Sequence, residues 1–208
     1  MKIHRIDSGF PLEKQAARLA WEEVIDRYRL FWPQPSPSER RAIDLTRFPS
    51  MAPVYMAFID NPTDPPPTAD TFEAAFFAEH NWPRTDAVRW RLRAKFYPSF
   101  VAQQHLTLIL MERFQHVTWS TSEDLSGIDI HLAYRGLALG IGSALNSQAS
   151  KDWERIKARR NPDSGHTWRL TLYRTRDEYP VGPFWLHDPD IVETEIKSYV
   201  TSVTSGAA

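Results

Sequence analysis

Asp129 and His131 have the side chains and the spacing that most readily support chemistry in this sequence. One residue separates them, so on a β-strand both side chains would point to the same face. An acid in that position either binds something, caps a turn or forms a surface ion pair. A histidine beside it could ligate a metal or form an ordinary structural hydrogen bond. The pair is therefore a candidate site, which the surrounding elements must position.

Two basic segments of the sequence could bind phosphate groups. The first, residues 84–97, alternates cations with aromatic side chains. Its candidate phosphate contacts are Arg89, Arg91, Arg93 and Lys95. The second, residues 147–160, contributes Lys157, Arg159 and Arg160. Such segments can bind phosphates while aromatic rings stack on bases, or they can be amphipathic helices whose charges are solvated.

The charge of the chain is distributed unevenly. Residues 81–176 hold 15 Lys and Arg against 8 Asp and Glu, a balance of +7. The flanking residues 1–80 and 177–208 have balances of -3 and -5, and the whole chain therefore has a net charge of -1. A basic middle between acidic flanks indicates a local surface for a polyanion rather than a protein that coats nucleic acid.

Hydrophobic alternation places the candidate acid on a β-hairpin. Residues 128–135 alternate apolar with polar or small side chains, which predicts a strand. Arg135 and Gly136 then predict a tight reversal, because glycine takes a positive φ at no steric cost. Residues 137–142 alternate again and predict a second strand. The residues on the second face of that strand are Ala138, Gly140 and Gly142.

The elements around this hairpin complete a mixed α/β pattern. Residues 99–114 predict a helix capped by Ser99 and buried, because its second half is apolar nearly all round. Residues 116–120 and 168–173 predict strands, and residues 147–160 predict a helix between them. The predicted order is thus helix, strand, strand, strand, helix, strand.

The N-terminal part of the chain is predicted to be largely helical. Apolar spacing predicts helices over residues 11–31 and 70–80, and another from Thr85. Residues 54–59 predict a short strand after a proline. We therefore treat residues 1–83 as a helical N-terminal region packed on the core.

The core, residues 84–208, is predicted to end with a helix. Asp190 and Glu193 have the three-residue spacing of a capping box, in which each side chain satisfies a backbone donor of the other. We therefore predict that Asp190 caps the last helix.

The element order from residue 99 to residue 174 resembles that of the PD-(D/E)XK superfamily, the restriction-endonuclease-like nucleases. In members of that family the first helix carries an acidic residue, the second strand opens with Asp, and the third carries (Asp/Glu)-x-Lys. Gly127-Ile128-Asp129 resembles the second motif, and Glu112 corresponds to the first, although it also suits a solvent-facing helix position. The resemblance implies an α/β (α+β) fold with a restriction-endonuclease-like core.

The third motif is degenerate in this sequence. The residues at its acid and lysine positions are Gly140 and Gly142, or Ala138 and Gly140. In the family the Asp of the second motif and the acid of the third motif hold Mg²⁺, and the lysine helps to position or activate water. Some members supply a catalytic group from the following helix, where Gln148, Lys151 and Lys157 stand. On the resemblance, the candidate catalytic residues are Asp129, Glu112 and Lys151, and the candidate ligands of Mg²⁺ or Mn²⁺ are Asp129 and His131.

We therefore predict a nucleic-acid-binding protein with a degenerate or atypical nuclease fold, with DNA favoured over RNA. The resemblance alone implies a role in DNA processing or defence. One alternative is an active Mg²⁺- or Mn²⁺-dependent endonuclease centred on Asp129. Another is a non-enzymatic adaptor, acting as a homo-oligomer or as a subunit of a larger complex.

Composition excludes several other classes of site. The 208 residues include no cysteine, so disulfides, thiolate metal sites and cysteine nucleophiles are excluded. No apolar stretch follows the first residues, and the longest apolar run, Leu106 to Met111, is too short to cross a bilayer. We expect a cytoplasmic protein that does not interact with membranes.

Overall fold

The computed structural model describes residues 3–5, 11–28, 33–58, 64–120, 130–148, 150–152, 155, 168–175 and 178–206. Within these ranges, no helix combines the length and the hydropathy that crossing a membrane requires.

Helices dominate the N-terminal part of the described chain. They are α1 (Pro11–Asp26), α2 (Pro37–Leu45), α3 (Ala52–Met56), α4 (Ala69–Glu79) and α5 (Asp86–Arg91). Local chemistry explains where several of them begin. The hydroxyl of Ser36 accepts from the Glu39 amide while the Glu39 carboxylate accepts from the Ser36 amide, a reciprocal cap for α2.

The prediction of a strand over residues 54–59 was wrong, because helix α3 occupies this part of the chain. Pro53 lies in the first turn of α3, where its fixed φ and missing N–H suit a helix start. Val54 and Tyr55 are both buried, a pattern that a half-buried strand with alternating faces does not give.

Helix α5 continues without a break into a π-helical turn, Leu92–Phe96, and then into α6 (Tyr97–Arg113). The predicted new helix start at Ser99 was therefore wrong. Within a regular α-helix, the ring of Pro98 would collide with the carbonyl four residues before it. The wider π turn directly precedes this proline, and in it the Tyr97 amide donates to the Leu92 carbonyl five residues back. This local widening allows one helix to pass through the proline.

Helix α6 lies at the centre of the molecule, as its predicted burial required. Every residue from 100 to 111 is buried. On one side it contacts an aromatic-rich cluster that includes Trp21, Phe72 and Phe76. On the other side it contacts an aliphatic cluster formed with the sheet and the C-terminal helix. The aromatic cluster draws side chains from both sides of the predicted boundary at residues 83 and 84, and the division there stays a prediction.

The sheet has five strands in the order β1-β2-β3-β4-β5. Their bounds are β1 (Ile3–Arg5), β2 (His116–Ser120), β3 (Ile130–Tyr134), β4 (Leu137–Leu145) and β5 (Trp168–Arg174). Neighbours from β1 to β4 run antiparallel, whereas β5 runs parallel to β4. The parallel pair requires a crossover, and residues 148, 150–152 and 155 are helical within it. The predicted mixed α/β class is confirmed.

The turn between β3 and β4 has the predicted form. Arg135 and Gly136 have φ values of 50° and 79°, both in the left-handed region that a two-residue hairpin requires. Ile130, Leu132 and Leu139 lie on the face of the hairpin that contributes to the aliphatic cluster against α6. The residues that alternate with these, His131, Ala133, Ala138 and Gly140, therefore lie on the opposite face.

The last helix, α7 (Pro189–Gly206), is capped by Asp188 rather than by the predicted Asp190. The carboxylate of Asp188 accepts from the amides of Asp190 at 2.8 Å and Ile191 at 3.1 Å. Pro189 explains the shift, because proline is favoured at the first helical position and the cap precedes it. Before this helix, a short hairpin joins β6 (Pro180–Val181) to β7 (Phe184–Trp185).

Candidate functional site

Several predicted site residues cannot be placed. Asp129, Lys157, Arg159 and Arg160 lie outside the described residues. The prediction that Asp129 is a catalytic residue and a metal ligand therefore stays a prediction, as does phosphate binding by the other three.

His131, Gly140 and Arg169 form one row across three adjacent strands. His131 on β3 pairs with Gly140 on β4, and Gly140 pairs with Arg169 on β5. Residues paired across strands share a face of the sheet, so all three positions lie opposite the aliphatic cluster. Adjacent strands are about 4.8 Å apart, which places the backbones of His131 and Arg169 roughly 10 Å from each other across the glycine. A histidine and an arginine thus flank one of the glycines of the degenerate third motif.

Lys151 lies on this same side of the sheet. Its Nζ atom is 5.8 Å from the centroid of the Tyr173 ring, a cation–π distance. Tyr173 alternates along β5 with Leu172, which belongs to the aliphatic cluster, so the tyrosine ring is on the second face. No carboxylate in the described part of the chain lies within ion-pair distance of Lys151, although Arg155 is paired with Asp152 nearby at 3.2 Å. We call His131, Arg169, Tyr173 and Lys151 the polar sheet face; all four side chains are half-buried.

The predicted phosphate contacts Arg89 and Arg93 are held by internal carboxylates. Arg89 Nε donates to Glu73 at 2.8 Å, and Arg93 Nε donates to the other oxygen of the same carboxylate at 2.5 Å. Arg93 also pairs with Asp70, and its side chain is only 7% exposed. These contacts hold α4 against the helix that runs through the π turn.

The other two predicted cations of this segment also have internal partners. Arg91 donates to the carbonyls of Ile43 and Thr46, which lie at the end of α2, and its guanidinium lies over the Phe48 ring. Burial lowers the pKa of Arg91, against a smaller opposing effect of the Asp44 charge. Lys95 pairs with Asp44 at 2.6 Å. The structure thus uses this segment to join helices α2, α4 and α5, and its binding of nucleic acid stays a prediction.

Glu112, predicted as an acid of the first motif, belongs to a buried network between α1 and α6. Its carboxylate accepts from Arg18 Nε at 2.6 Å, and Arg18 Nη1 donates to Glu22 at 2.7 Å. Glu22 also contacts His105 Nε2 at 2.6 Å and accepts from the Tyr179 hydroxyl. Because a carboxylate only accepts hydrogen bonds, the proton of this contact lies on His105 Nε2. We call these five residues the buried network.

Hydrogen bonds within the buried network shift the pKa values of Glu22 and His105 in the direction opposite to the effect of burial. Burial raises the pKa of Glu22, but the hydrogen bond from His105 and the charge and hydrogen bond of Arg18 outweigh burial, so the net pKa shift is downward. For His105, burial lowers the pKa more than the Glu22 hydrogen bond and charge raise it. His105 is therefore neutral at pH 7. Its Nδ1 has no hydrogen-bond partner among the described residues.

A second buried polar group lies at the end of β4. Ser143 Oγ is 2.9 Å from His187 Nε2 and accepts from Arg174 Nη1 at 2.5 Å. Burial lowers the pKa of His187 well below its ordinary value, and the positive charge of Arg174 lowers it as well. Sequence reasoning missed both groups, although polar residues 103–105 within an otherwise apolar helix were a signal.

The described residues do not fit a divalent metal. Among them, no group of three or more His, Asp or Glu could hold an ion. The carboxylate of Glu112 is already compensated by Arg18 and, at 3.8 Å, by Arg113. His131 remains on the polar sheet face, where its predicted partner Asp129 is not described. We derive no chemical step through Mg²⁺ or Mn²⁺.

Comparison of the chain with family models, with curated proteins and with solved structures found no match. A function for this chain is therefore inferred from its own residues.

Proposed function

We propose that this chain binds nucleic acid, DNA in preference to RNA, through the polar sheet face. The protein would be a PD-(D/E)XK-like α/β protein whose third motif is degenerate. The observation that carries the proposal is the row of His131, Gly140 and Arg169, with Lys151 on the same side of the sheet. Lys151 and Arg169 are both half-buried cations on this side of the sheet, and such cations attract a phosphate backbone.

Two further observations support this choice of surface. The order of α6, β2, β3, β4, the helical crossover residues and β5 is the order that the resemblance implies for a nuclease-like core. Tyr173 adds an aromatic ring beside the cations, and aromatic rings stack on unpaired bases without sequence preference. The cations of residues 89–95 instead form ion pairs and hydrogen bonds with acids and carbonyls of the protein itself. These contacts make them poorer candidates than Lys151 for phosphate binding.

A salt titration of binding to short duplex and single-stranded DNA tests the proposal. The logarithm of the binding constant decreases with the logarithm of the salt concentration. Removing one phosphate contact should make this slope less steep by about 0.9 for duplex and about 0.7 for single-stranded DNA. We therefore expect Lys151→Gln and Arg169→Gln each to weaken binding and flatten the slope. The matched control is Arg27→Gln, because Arg27 directly follows α1, is 76% exposed and pairs with Glu23 of that helix.

Three results would separate this proposal from its alternatives. Absence of binding at low salt, or equal binding by Lys151→Gln, Arg169→Gln and the control, would overturn it. Weaker binding by Lys95→Gln alone would move the interface to residues 89–95. Plasmid cleavage that requires Mg²⁺ or Mn²⁺ and disappears in Asp129→Ala would instead support an active endonuclease; we expect no cleavage.

A further inference from the structure

We infer that strand β5 pairs with the β5 strand of a second copy of this chain, antiparallel and about a two-fold axis at Thr171. The inference concerns self-association, and it goes beyond the proposed binding of nucleic acid without depending on it. Its basis is the position of β5 in the sheet and the order of side chains along this strand.

Strand β5 is the last strand of the sheet in the described part of the chain. Within the described ranges it pairs with β4 alone. The Arg174 carbonyl accepts from the Asn146 amide, which follows β4, so the backbone groups of Arg174 face β4. Backbone groups alternate in direction along a parallel strand, and those of Arg169, Thr171 and Tyr173 therefore face away from β4. The Tyr199 hydroxyl, which reaches the Arg169 carbonyl at 3.0 Å from α7, agrees with that direction.

An edge strand of seven residues is a template for another strand unless its sequence opposes pairing. Charged residues near the middle of an edge commonly prevent such pairing. In β5 the middle is Leu170, Thr171 and Leu172, and the cations are near its ends. The outward backbone groups of Thr171 lie at the centre of this uncharged stretch.

The order of side-chain types along β5 is similar in both directions from Thr171, which suits pairing about a two-fold axis at this residue. The sequence of the strand is Trp168-Arg169-Leu170-Thr171-Leu172-Tyr173-Arg174. With Thr171 opposite itself, leucine stands opposite leucine, and Arg169 stands opposite Tyr173 of the second copy. Arginine opposite an aromatic ring is a favourable cation–π pair. No two like charges stand opposite each other in this register, whereas a shift of the centre to Leu172 would bring Leu170 opposite Arg174.

The pairing is compatible with the contact between Tyr199 and the Arg169 carbonyl. A carbonyl oxygen has two lone pairs, so the Arg169 carbonyl can keep the Tyr199 hydroxyl and also accept from an amide of the second strand. Because the two-fold axis is perpendicular to the sheet, the polar sheet faces of both copies would lie on the same side. A dimer would therefore present one continuous basic surface.

Cysteine substitution tests the register directly, because the chain has no cysteine of its own. At the two-fold axis the two Thr171 residues would exchange both backbone hydrogen bonds, with Cα atoms about 5.5 Å apart. This separation suits a disulfide, so mild oxidation of Thr171→Cys should give a covalent dimer. The matched control is Thr175→Cys, whose copies would be roughly 27 Å apart along the paired strands and should stay monomeric on a denaturing gel.

The mass in solution completes the test without nucleic acid. We expect wild-type protein to approach the dimer mass in sedimentation equilibrium as its concentration rises, and Thr171→Lys to remain a monomer. Wild-type amide exchange at Thr171 should also be slower in the dimer than after dilution, which tests the pairing even if a variant fails to fold. A wild-type monomer at all concentrations, equal cross-linking of both cysteine variants, or a dimer with fast exchange at Thr171 would overturn the inference.

Discussion

At the scale of single residues, the arrangement of charges separates the cations that join helices from those that could bind a ligand. Arg93 and Arg18 are buried and each contacts two carboxylates, so their charges are compensated within the fold. Lys151 contacts an aromatic ring instead, and no described acid neutralises it. Residue type alone could not distinguish these roles, because the acids that decide them come from distant parts of the sequence.

Glu112 illustrates the difference, since the resemblance made it a catalytic acid and the structure pairs it with Arg18. Removing one partner of a buried ion pair leaves the other charge uncompensated. We therefore expect Glu112→Gln to lower the free energy of unfolding by about 3 kcal/mol in urea titrations. The control Glu23→Gln breaks the exposed pair with Arg27 and should cost less than about 1 kcal/mol. Equal stabilities of both variants would contradict a structural role for Glu112.

At the scale of elements, the sequence predicted what depends on local periodicity. Alternation along residues 128–135 and 168–173 predicted two strands, which correspond to β3 and β5 in the structure. The turn at Arg135 and Gly136 was predicted from the freedom of glycine to adopt a positive φ. The passage of one helix through Pro98 was not predictable in this way, because it depends on a π turn in which Leu92 and Arg93 are buried. The strand predicted over residues 54–59 failed because burial on consecutive positions overrode its β-branched and aromatic content.

The start of α7 gives a prediction at this scale. Asp188 accepts hydrogen bonds from two amides of the first turn, whereas the predicted cap, Asp190, lies within that turn and pairs with Arg113 at 3.0 Å. We expect Asp188→Ala to lower the free energy of unfolding by about 1 kcal/mol, the usual contribution of an N-cap. Asp190→Ala removes only an exposed ion pair and should have a smaller effect. Chemical denaturation of both variants decides between the two caps, and a larger loss in Asp190→Ala would favour the capping box.

At the scale of the whole molecule, α6 separates two hydrophobic clusters and carries a fully buried histidine, His105. His105 is fully buried on α6 and contacts Glu22 of α1, while His187 contacts Ser143 of β4. The sequence predicted that α6 would be buried, but not which distant acids would face it. The partners of His105 are far from it along the chain, so no local pattern could bring them together.

This arrangement predicts how the stability of the whole fold depends on pH. His105 is faced by Glu22, Arg18 and Glu112, and the pKa of the histidine is lowered chiefly by burial. His187 is faced by Arg174 and His105, and its pKa is lowered further. Below the unfolded pKa of about 6.5, the unfolded chain therefore binds protons that the folded chain does not. As the pH decreases below that value, the free energy of unfolding should decrease by up to about 1.4 kcal/mol per pH unit for each histidine.

Urea titrations between pH 8 and pH 5.5 measure this slope. His187→Asn removes one of the two buried imidazoles, so we expect it to reduce the loss of stability on acidification, whatever its effect at pH 8. His116→Gln is the matched control, because it removes an exposed histidine of β2 and leaves both buried imidazoles in place. The direction of the effect follows from burial: a folded state that keeps both histidines neutral loses stability as the unfolded state gains protons. A wild-type stability that is constant over this range would contradict the neutral, buried state of both imidazoles.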